Sequence, residues 1–366
     1  MSHSDPNADL PPVRGGAAGL RRLARAVAVG LLALLPAVTR AQSPEIRSGE
    51  SIPRDVREMY DRGLQYLVAT QTEKGDWTGG QNGPGITGMA IMCFLASGED
   101  PNYGIYSNNI RRALRSLILE QDANTGYFQN SMYHHGFAML ALAEAYGTVD
   151  DRALWTEKSG TRQRSIGEAL ELAVRSAITS QKKNSYGAWR YSPSGNDADT
   201  SVAGAVLMGL LAARNAGVEV PDEAIDKAIS YFVKMTADSG QVAYAGGIGG
   251  FDESLARISI GTLVYSIARR KDLPQFKSTL GYLTGKLDGG SPGHGGVEYQ
   301  RYYQAQALFQ GDFAAWEKWN KSLIRQLKTI QMEDGSFKGS YGNSTSTALS
   351  LLAIAVNFRF LPIYER

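Results

Sequence analysis

Gln71-Thr72-Glu73-Lys74-Gly75-Asp76-Trp77 closes an amphipathic stretch that begins near Leu64, and its chemistry returns along the chain. Leu114–Leu119 runs to Gln121, followed by Gly126-Tyr127-Phe128. Leu170–Ile178 runs to Gln181, followed by Gly187-Ala188-Trp189. Leu323–Ile330 runs to Gln331, followed by Gly335-Ser336-Phe337. Two further units are degenerate. Ile225–Met235 precedes Ser239-Gly240 and Tyr244, and Phe276–Leu287 precedes Gly289-Gly290 and a Gly-rich loop that carries His294. Self-similarity at a fixed period marks a repeat architecture. The first segments end near 71, 121, 181, 235, 286 and 331.

A second segment follows each turn, at about 86–97, 133–146, 200–216, 253–269, 299–310 and 344–358. Val202, Ala205, Val206, Gly209, Leu210 and Ala213 have helical spacing. These segments are apolar almost all round, which predicts helices buried on both sides. The first segments carry charge, as in Arg111, Arg112, Glu168, Glu171 and Lys321, which predicts a solvent-facing helix. Ser165 and Glu168 form a capping-box pattern, and Asp312 is placed to cap the last first-helix. An open stack of six hairpins needs polar terminal repeats. The last second-helix, Ala348–Val356, is strongly apolar instead. The expected fold is therefore all-α, an (α/α)6 toroid of six helix-hairpin repeats.

Residues 1–41 read as a signal peptide. Arg21, Arg22 and Arg25 precede the apolar run Ala26–Val38, and Thr39-Arg40-Ala41 supplies small residues for cleavage. The run is too short for a good membrane span. This predicts an exported chain, periplasmic or secreted, with no stable membrane span after cleavage. Residues 42–54 read as a linker and 55–366 as the toroid. Removal of 1–41 takes away five arginines and two aspartates, leaving 33 basic and 34 acidic side chains. No basic surface argues for nucleic acid. The single cysteine, Cys93, cannot form an internal disulfide, and its apolar setting predicts core packing.

The Gln…Gly-x-aromatic units resemble the QW-type repeats of squalene and other triterpene cyclases, and of protein prenyltransferase β subunits. The resemblance covers about residues 55–360. It is nearest to exported bacterial "prenyltransferase and squalene oxidase repeat" proteins through Tyr133–Ala138, Trp189–Ser192, Asp197–Ser201, Tyr302–Ala305 and Leu361–Arg366. It implies a toroid with a central cavity. Cyclases of this type protonate an alkene with the central Asp of an Asp-x-Asp-Asp-Thr motif. That step needs a carboxylic acid kept protonated in an apolar pocket. The matching stretch here is Asn196-Asp197-Ala198-Asp199-Thr200, so alanine stands where the acid belongs. Asp197 and Asp199 remain the weak catalytic candidates, and Asp199 also reads as a helix cap. Prenyltransferases hold zinc with Asp, Cys and His, and no Asp-x-Cys occurs here. No metal and no cofactor is expected.

Polar residues collect at the starts of the second helices: His134, His135, Asp197, Asp199, Asp252, Glu253, Arg257, His294, Glu298, Tyr299, Tyr302 and Tyr303. The cavity candidates are His134, His135, Tyr191, Asp199, Thr200, Asp252, Arg257, Glu298, Tyr302 and Tyr303. Adjacent helical residues point about 100° apart, so His134 and His135 do not form one site. The expected function is binding of an isoprenoid, lipid or other apolar ligand, or a protein partner, in the central cavity. The alternatives are a terpene cyclase-like enzyme using Asp197 or Asp199, and a carbohydrate-active (α/α)6 enzyme.

Overall fold

A computed structural model describes residues 52–78, 82–155, 163–245, 250–290, 293 and 296–364. Residues 1–41, most of the expected linker, and His294 lie outside them. Among the described residues, twelve α-helices form six hairpins. They are α1 Arg54–Thr70 with α2 Pro84–Leu95, α3 Ser107–Glu120 with α4 Met132–Ala145, and α5 Ile166–Lys182 with α6 Thr200–Asn215. The rest are α7 Asp222–Met235 with α8 Leu255–Ile267, α9 Pro274–Thr284 with α10 Val297–Gly311, and α11 Phe313–Ile330 with α12 Asn343–Ala355. No strand forms among the described residues. Isolated bridges such as Gln121 with Phe128 only pin turns.

The first helix of each hairpin buries one stripe. In α1 it is Val56, Met59, Tyr60, Gly63, Leu64 and Leu67, at helical spacing. The second helices are different: every residue of α2 and of α8 is buried. The second helices pack in the order α2, α4, α6, α8, α10, α12, and α12 packs against α2. The ring is closed. Cys93 lies at that closure, fully buried, with its Sγ 3.4 Å from the Ala348 carbonyl. Burial pushes its thiol well above the ordinary value, as suits a packing residue.

One turn chemistry joins neighbouring hairpins. Gln71 Nε2 donates to the carbonyl of Gly75 at 2.9 Å and to that of Asn109, on α3, at 3.0 Å. Gln121 bridges Gly126 and Ala169 in the same way, and Gln181 bridges Gly187 and Ala224. Gln331 bridges Gly335 and Met59, which ties the last hairpin to the first. Each glutamine thus satisfies a carbonyl left over at its own turn and another on the next outer helix. The turn aromatics follow the glutamines inward. Trp77 Nε1 donates to Leu67 O at 2.8 Å, and Trp189 Nε1 donates to Ala177 O at 2.9 Å. Gly335 must be glycine: its φ is +86°, and a Cβ there would lie 2.2 Å from Arg62 O.

The caps match their sequence signatures. Ser165 and Glu168 exchange capping-box hydrogen bonds, and Asp312 accepts from Ala315 N at 3.0 Å. The fifth hairpin departs most from expectation. Its outer helix runs from Pro274 to Thr284 rather than 276–287, because Pro274 supplies a preformed N1 and the glycines beyond Thr284 do not extend a helix. No helix among the described residues is long and apolar enough to cross a membrane.

Candidate functional site

Because each turn links an outer-helix end to an inner-helix start, all six inner helices begin at the same end of the ring. A pocket of about 70 Å³ lies there. That is room for about five water-sized groups. Gly85, Ile86 and Met89 of α2 form one wall, and Thr345 and Leu349 of α12 another. Tyr133, His134 and Phe137 of α4, Tyr299 of α10 and Tyr341 complete it.

An aromatic cluster narrows the axis below. Tyr133 sits 5.2 Å from Phe137 and 6.0 Å from Tyr299, ring centre to ring centre. Tyr299 and Tyr303 lie at 4.9 Å, Tyr302 and Tyr303 at 4.7 Å, and Phe137 and Tyr302 at 5.9 Å. Burial pushes the hydroxyls of Tyr133, Tyr299 and Tyr303 well above the ordinary phenol value, so they stay neutral donors. Tyr299 is 6% exposed, and its hydroxyl makes no hydrogen bond of ordinary length and angle, meeting only the neighbouring Tyr133 and Tyr303 hydroxyls.

His134 lines the pocket. Its Nδ1 accepts the Gly85 N–H at 3.2 Å, which places the ring proton on Nε2. Burial lowers its pKa to about 4, so it is neutral near pH 7. His135 points elsewhere, as the 100° step requires. Its Nδ1 accepts from Phe128 N at 3.1 Å, and its Nε2 lies 3.0 Å from Ala173 O.

The other candidates lie outside the wall of this pocket, and most of them organise backbone. Asp199 caps α6, with Oδ1 accepting from Ser201 N and Val202 N at 2.8 and 3.0 Å. Its Oδ2 faces the Tyr191 hydroxyl at 3.4 Å, and Tyr191 in turn meets the Tyr244 hydroxyl at 3.0 Å. Thr200 donates to Ala243 O at 2.7 Å. Arg257, expected at the cavity, is 2% exposed. It donates to Val242 O and to both the carbonyl and carboxylate of Asp252, which stitches the loop before α8. Glu298 accepts from Ser340 N and Ser346 Oγ, fastening the loop before α12 to α10. Asp197 pairs with Arg190 at the surface. Tyr302 and Tyr303 pack in the axial cluster beneath the pocket.

Sequence spacing passed over Ile86, Met89, Phe137, Tyr341, Thr345 and Leu349. The usable signal was the i, i+4 aromatic pairs Tyr133/Phe137 and Tyr299/Tyr303, on helices expected to be buried. Among the described residues no group of three or more His, Cys, Asp or Glu side chains could hold a metal ion.

Residues 57–257 match the family described as Domain of unknown function (DUF6288). The chain belongs to that family. No curated protein matches this DUF6288 member in sequence. Solved structures do match its fold. The α-1,6-mannanase GH76A of Salegentibacter sp. HEL1_6, an inactive variant in complex with α-1,6-mannotriose, gives a TM-score of 0.63 at 8% identity, over 83% of this chain and 99% of that one. The type II terpene cyclase MstE of Scytonema, in complex with geranylgeranyl dihydroxybenzoate, gives 0.58 at 12% identity, over 84% and 98%. The GH76 α-mannanase BT2949 of Bacteroides thetaiotaomicron gives 0.55 at 11% identity, over 83% and 96%. At such identities the likeness establishes the toroid and nothing about its chemistry.

A pH dependence follows for the DUF6288 toroid from His135. Burial lowers its pKa to about 4, against an ordinary 6.5. In acid the unfolded chain takes up the proton first. The contribution of the neutral imidazole is therefore whole above pH 6.5 and is lost as pH falls toward 4. The gap corresponds to roughly 3 kcal/mol. Urea midpoints are expected to fall between pH 7 and 4.5, and to fall less in His135→Gln. An equal fall in both chains would assign the effect to other groups.

Proposed function

We propose that the chain is exported with residues 1–41 removed, and that residues 55–366 act as a non-catalytic relative of the squalene cyclase-type repeat proteins. In that role the toroid binds the polar end of an apolar molecule, an isoprenoid alcohol or a lipid of similar character, in the axial pocket. The observation that carries this is the Tyr299 hydroxyl. It is buried beside a pocket walled by Ile86, Met89, Phe137 and Leu349, with no well-formed hydrogen bond, only the neighbouring Tyr133 and Tyr303 hydroxyls. A fully unpaired buried hydroxyl costs about 1–3 kcal/mol; a poorly satisfied one costs part of that, which a well-placed ligand oxygen offsets. The volume suits one isoprene unit with its hydroxyl, the rest of the chain lying toward the mouth.

The two residual acids speak against turnover. Asp199 is spent as an acceptor on its own helix, and Asp197 sits in a surface ion pair with a side chain 55% exposed. Neither is an acid held in an apolar pocket. The likeness to a terpene cyclase supports an isoprenoid-sized apolar guest. The likeness to mannanases, together with exposed Tyr191, supports a carbohydrate guest instead. Yet Glu298 and Asp199, the buried carboxylates at this end, each fasten local backbone rather than standing free to flank a glycosidic bond.

Thermal unfolding with farnesol, with farnesene (the same chain without the hydroxyl) and with α-1,6-mannotriose separates these cases. At a hundredfold excess over Kd a ligand adds about 2.7 kcal/mol, which raises Tm by several degrees. Farnesol is expected to do so, farnesene to do so less, and mannotriose not at all. Tyr299→Phe is expected to fold as well as the parent and to bind farnesol about three- to tenfold more weakly. Leu349→Trp, which fills the pocket, is expected to abolish the shift. A farnesol shift undiminished in Leu349→Trp overturns the assignment, and a shift with mannotriose alone replaces it with the carbohydrate reading.

A further inference from the structure

Among its described residues, the fifth turn lacks the glycine contact that seals the others against the next outer helix. Elsewhere the turn glycine presses on the next outer helix: a Cβ on Gly126 would lie 2.2 Å from Leu172 O, and one on Gly240 would lie 2.2 Å from Ser278 O. Gly289, in the fifth turn, has nothing within 4 Å on that side. No bridging glutamine and no Gly-x-aromatic stands there either. A cleft of about 200 Å³ opens between this turn and α11, with α10 as its floor. It has room for roughly a dozen water-sized groups.

The floor is polar where the other inner helices are apolar. Gln304 is 1% exposed. Its Oε1 takes the Gln300 amide at 3.0 Å, while its Nε2 is buried with no partner. An unsatisfied buried amide costs stability, and leucine of similar volume would not. Arg301 and Lys286 stand at the sides. Arg301 Nη2 donates to Gln326 Oε1 at 3.0 Å, and Lys286 Nζ is 3.4 Å from Glu253 Oε1. Asp288 is at the mouth, 3.9 Å from Lys318. Trp319, Leu323 and Leu255 supply an apolar wall. The cleft thus offers the buried Gln304 Nε2–H and the Arg301 guanidinium, with Lys286 and Asp288 toward solvent, beside a surface suited to a short hydrocarbon or ring.

We propose that this cleft is a second ligand site, separate from the axial pocket, for a small organic carboxylate of about the size of benzoate. The carboxylate accepts from Gln304 Nε2 and from the Arg301 guanidinium, and the body lies against Trp319 and Leu323. Charge-assisted hydrogen bonds to the half-buried Arg301 guanidinium give the anion its advantage over a neutral amide.

Isothermal titration of the full chain at constant ionic strength tests this with benzoate, hexanoate, benzamide and inorganic phosphate. Benzoate or hexanoate is expected to bind one to one, and benzamide at least tenfold more weakly than benzoate. Gln304→Leu and Arg301→Gln are each expected to weaken carboxylate binding tenfold or more. Gln304→Leu is expected to be at least as stable as the parent in urea and to keep the farnesol response. The proposal is overturned if neither carboxylate binds, if binding survives both substitutions, or if phosphate binds as well as benzoate, which would leave only a charge effect.

Discussion

Gly136→Val is expected to prevent the ring from folding. Gly136 lies where α4 crosses α6, and a Cβ there would fall 2.6 Å from the Ala205 carbonyl carbon and 2.7 Å from Val206 N. The obstacle is backbone, not the end of a side chain that could turn aside. Nor can α6 retreat, because a Cβ on Gly204, on its far side, would fall 2.3 Å from Ile260 of α8. Glycine inside a helix costs about 1 kcal/mol against alanine. The ring carries that cost because close approach lets the inner helices bury one another completely. Overpacking of a tight core typically costs 1–3 kcal/mol, and a branched side chain driven into backbone belongs beyond about 3 kcal/mol. Domains hold only about 5–15 kcal/mol in total. Circular dichroism and size exclusion should show an aggregated or expanded chain. A soluble variant with a near-parental Tm would contradict the close packing of α4 on α6.

Trp189→Ala is the second large effect, a loss of about 3–5 kcal/mol. The indole is fully buried and plugs the turn between α5 and α6. Its removal leaves a cavity and deprives the Ala177 carbonyl of its donor. The Trp189 carbonyl accepts from Asp199 N at 2.9 Å, so the cap of α6 hangs from the same residue. The urea midpoint should drop with little change in m. Trp189→Phe, which keeps most of the volume but not the N–H, should lose less. Equal losses in the two would trace the stabilisation to the hydrogen bond rather than to the filled volume.

The fold was legible because its joints are local. Gln181 and Trp189 lie eight positions apart across one turn; Trp189 locks that turn to its own α5, and Gln181 reaches the next outer helix. Helix limits expected from such turns fall close to those observed. The inner helix expected at 200–216 is Thr200–Asn215, and the one expected at 86–97 is Pro84–Leu95. Ring closure was legible from the apolar end of the chain, where α12 needs a partner and finds α2.

The pocket was legible only in part. His134 was found from its place at the start of an inner helix. Thr345 and Leu349 were not, because they meet Ile86 and Met89 only after more than 250 intervening residues have closed the ring. Arg257 and Glu298 look like site residues in sequence, but buried charges must be paired or hydrogen-bonded, and these two fasten loops. What marks the pocket is a buried hydroxyl with no well-formed hydrogen bond, and only the assembled axis reveals such a group.

The most direct measurement is a crystal structure of the chain grown with farnesol. Density for the alcohol is expected among Ile86, Met89, Phe137 and Leu349, with its oxygen within hydrogen-bond distance of Tyr299 Oη. An axial pocket holding only water at saturating farnesol, or the alcohol lodged solely in the cleft beside α11, would contradict a ligand-binding axis.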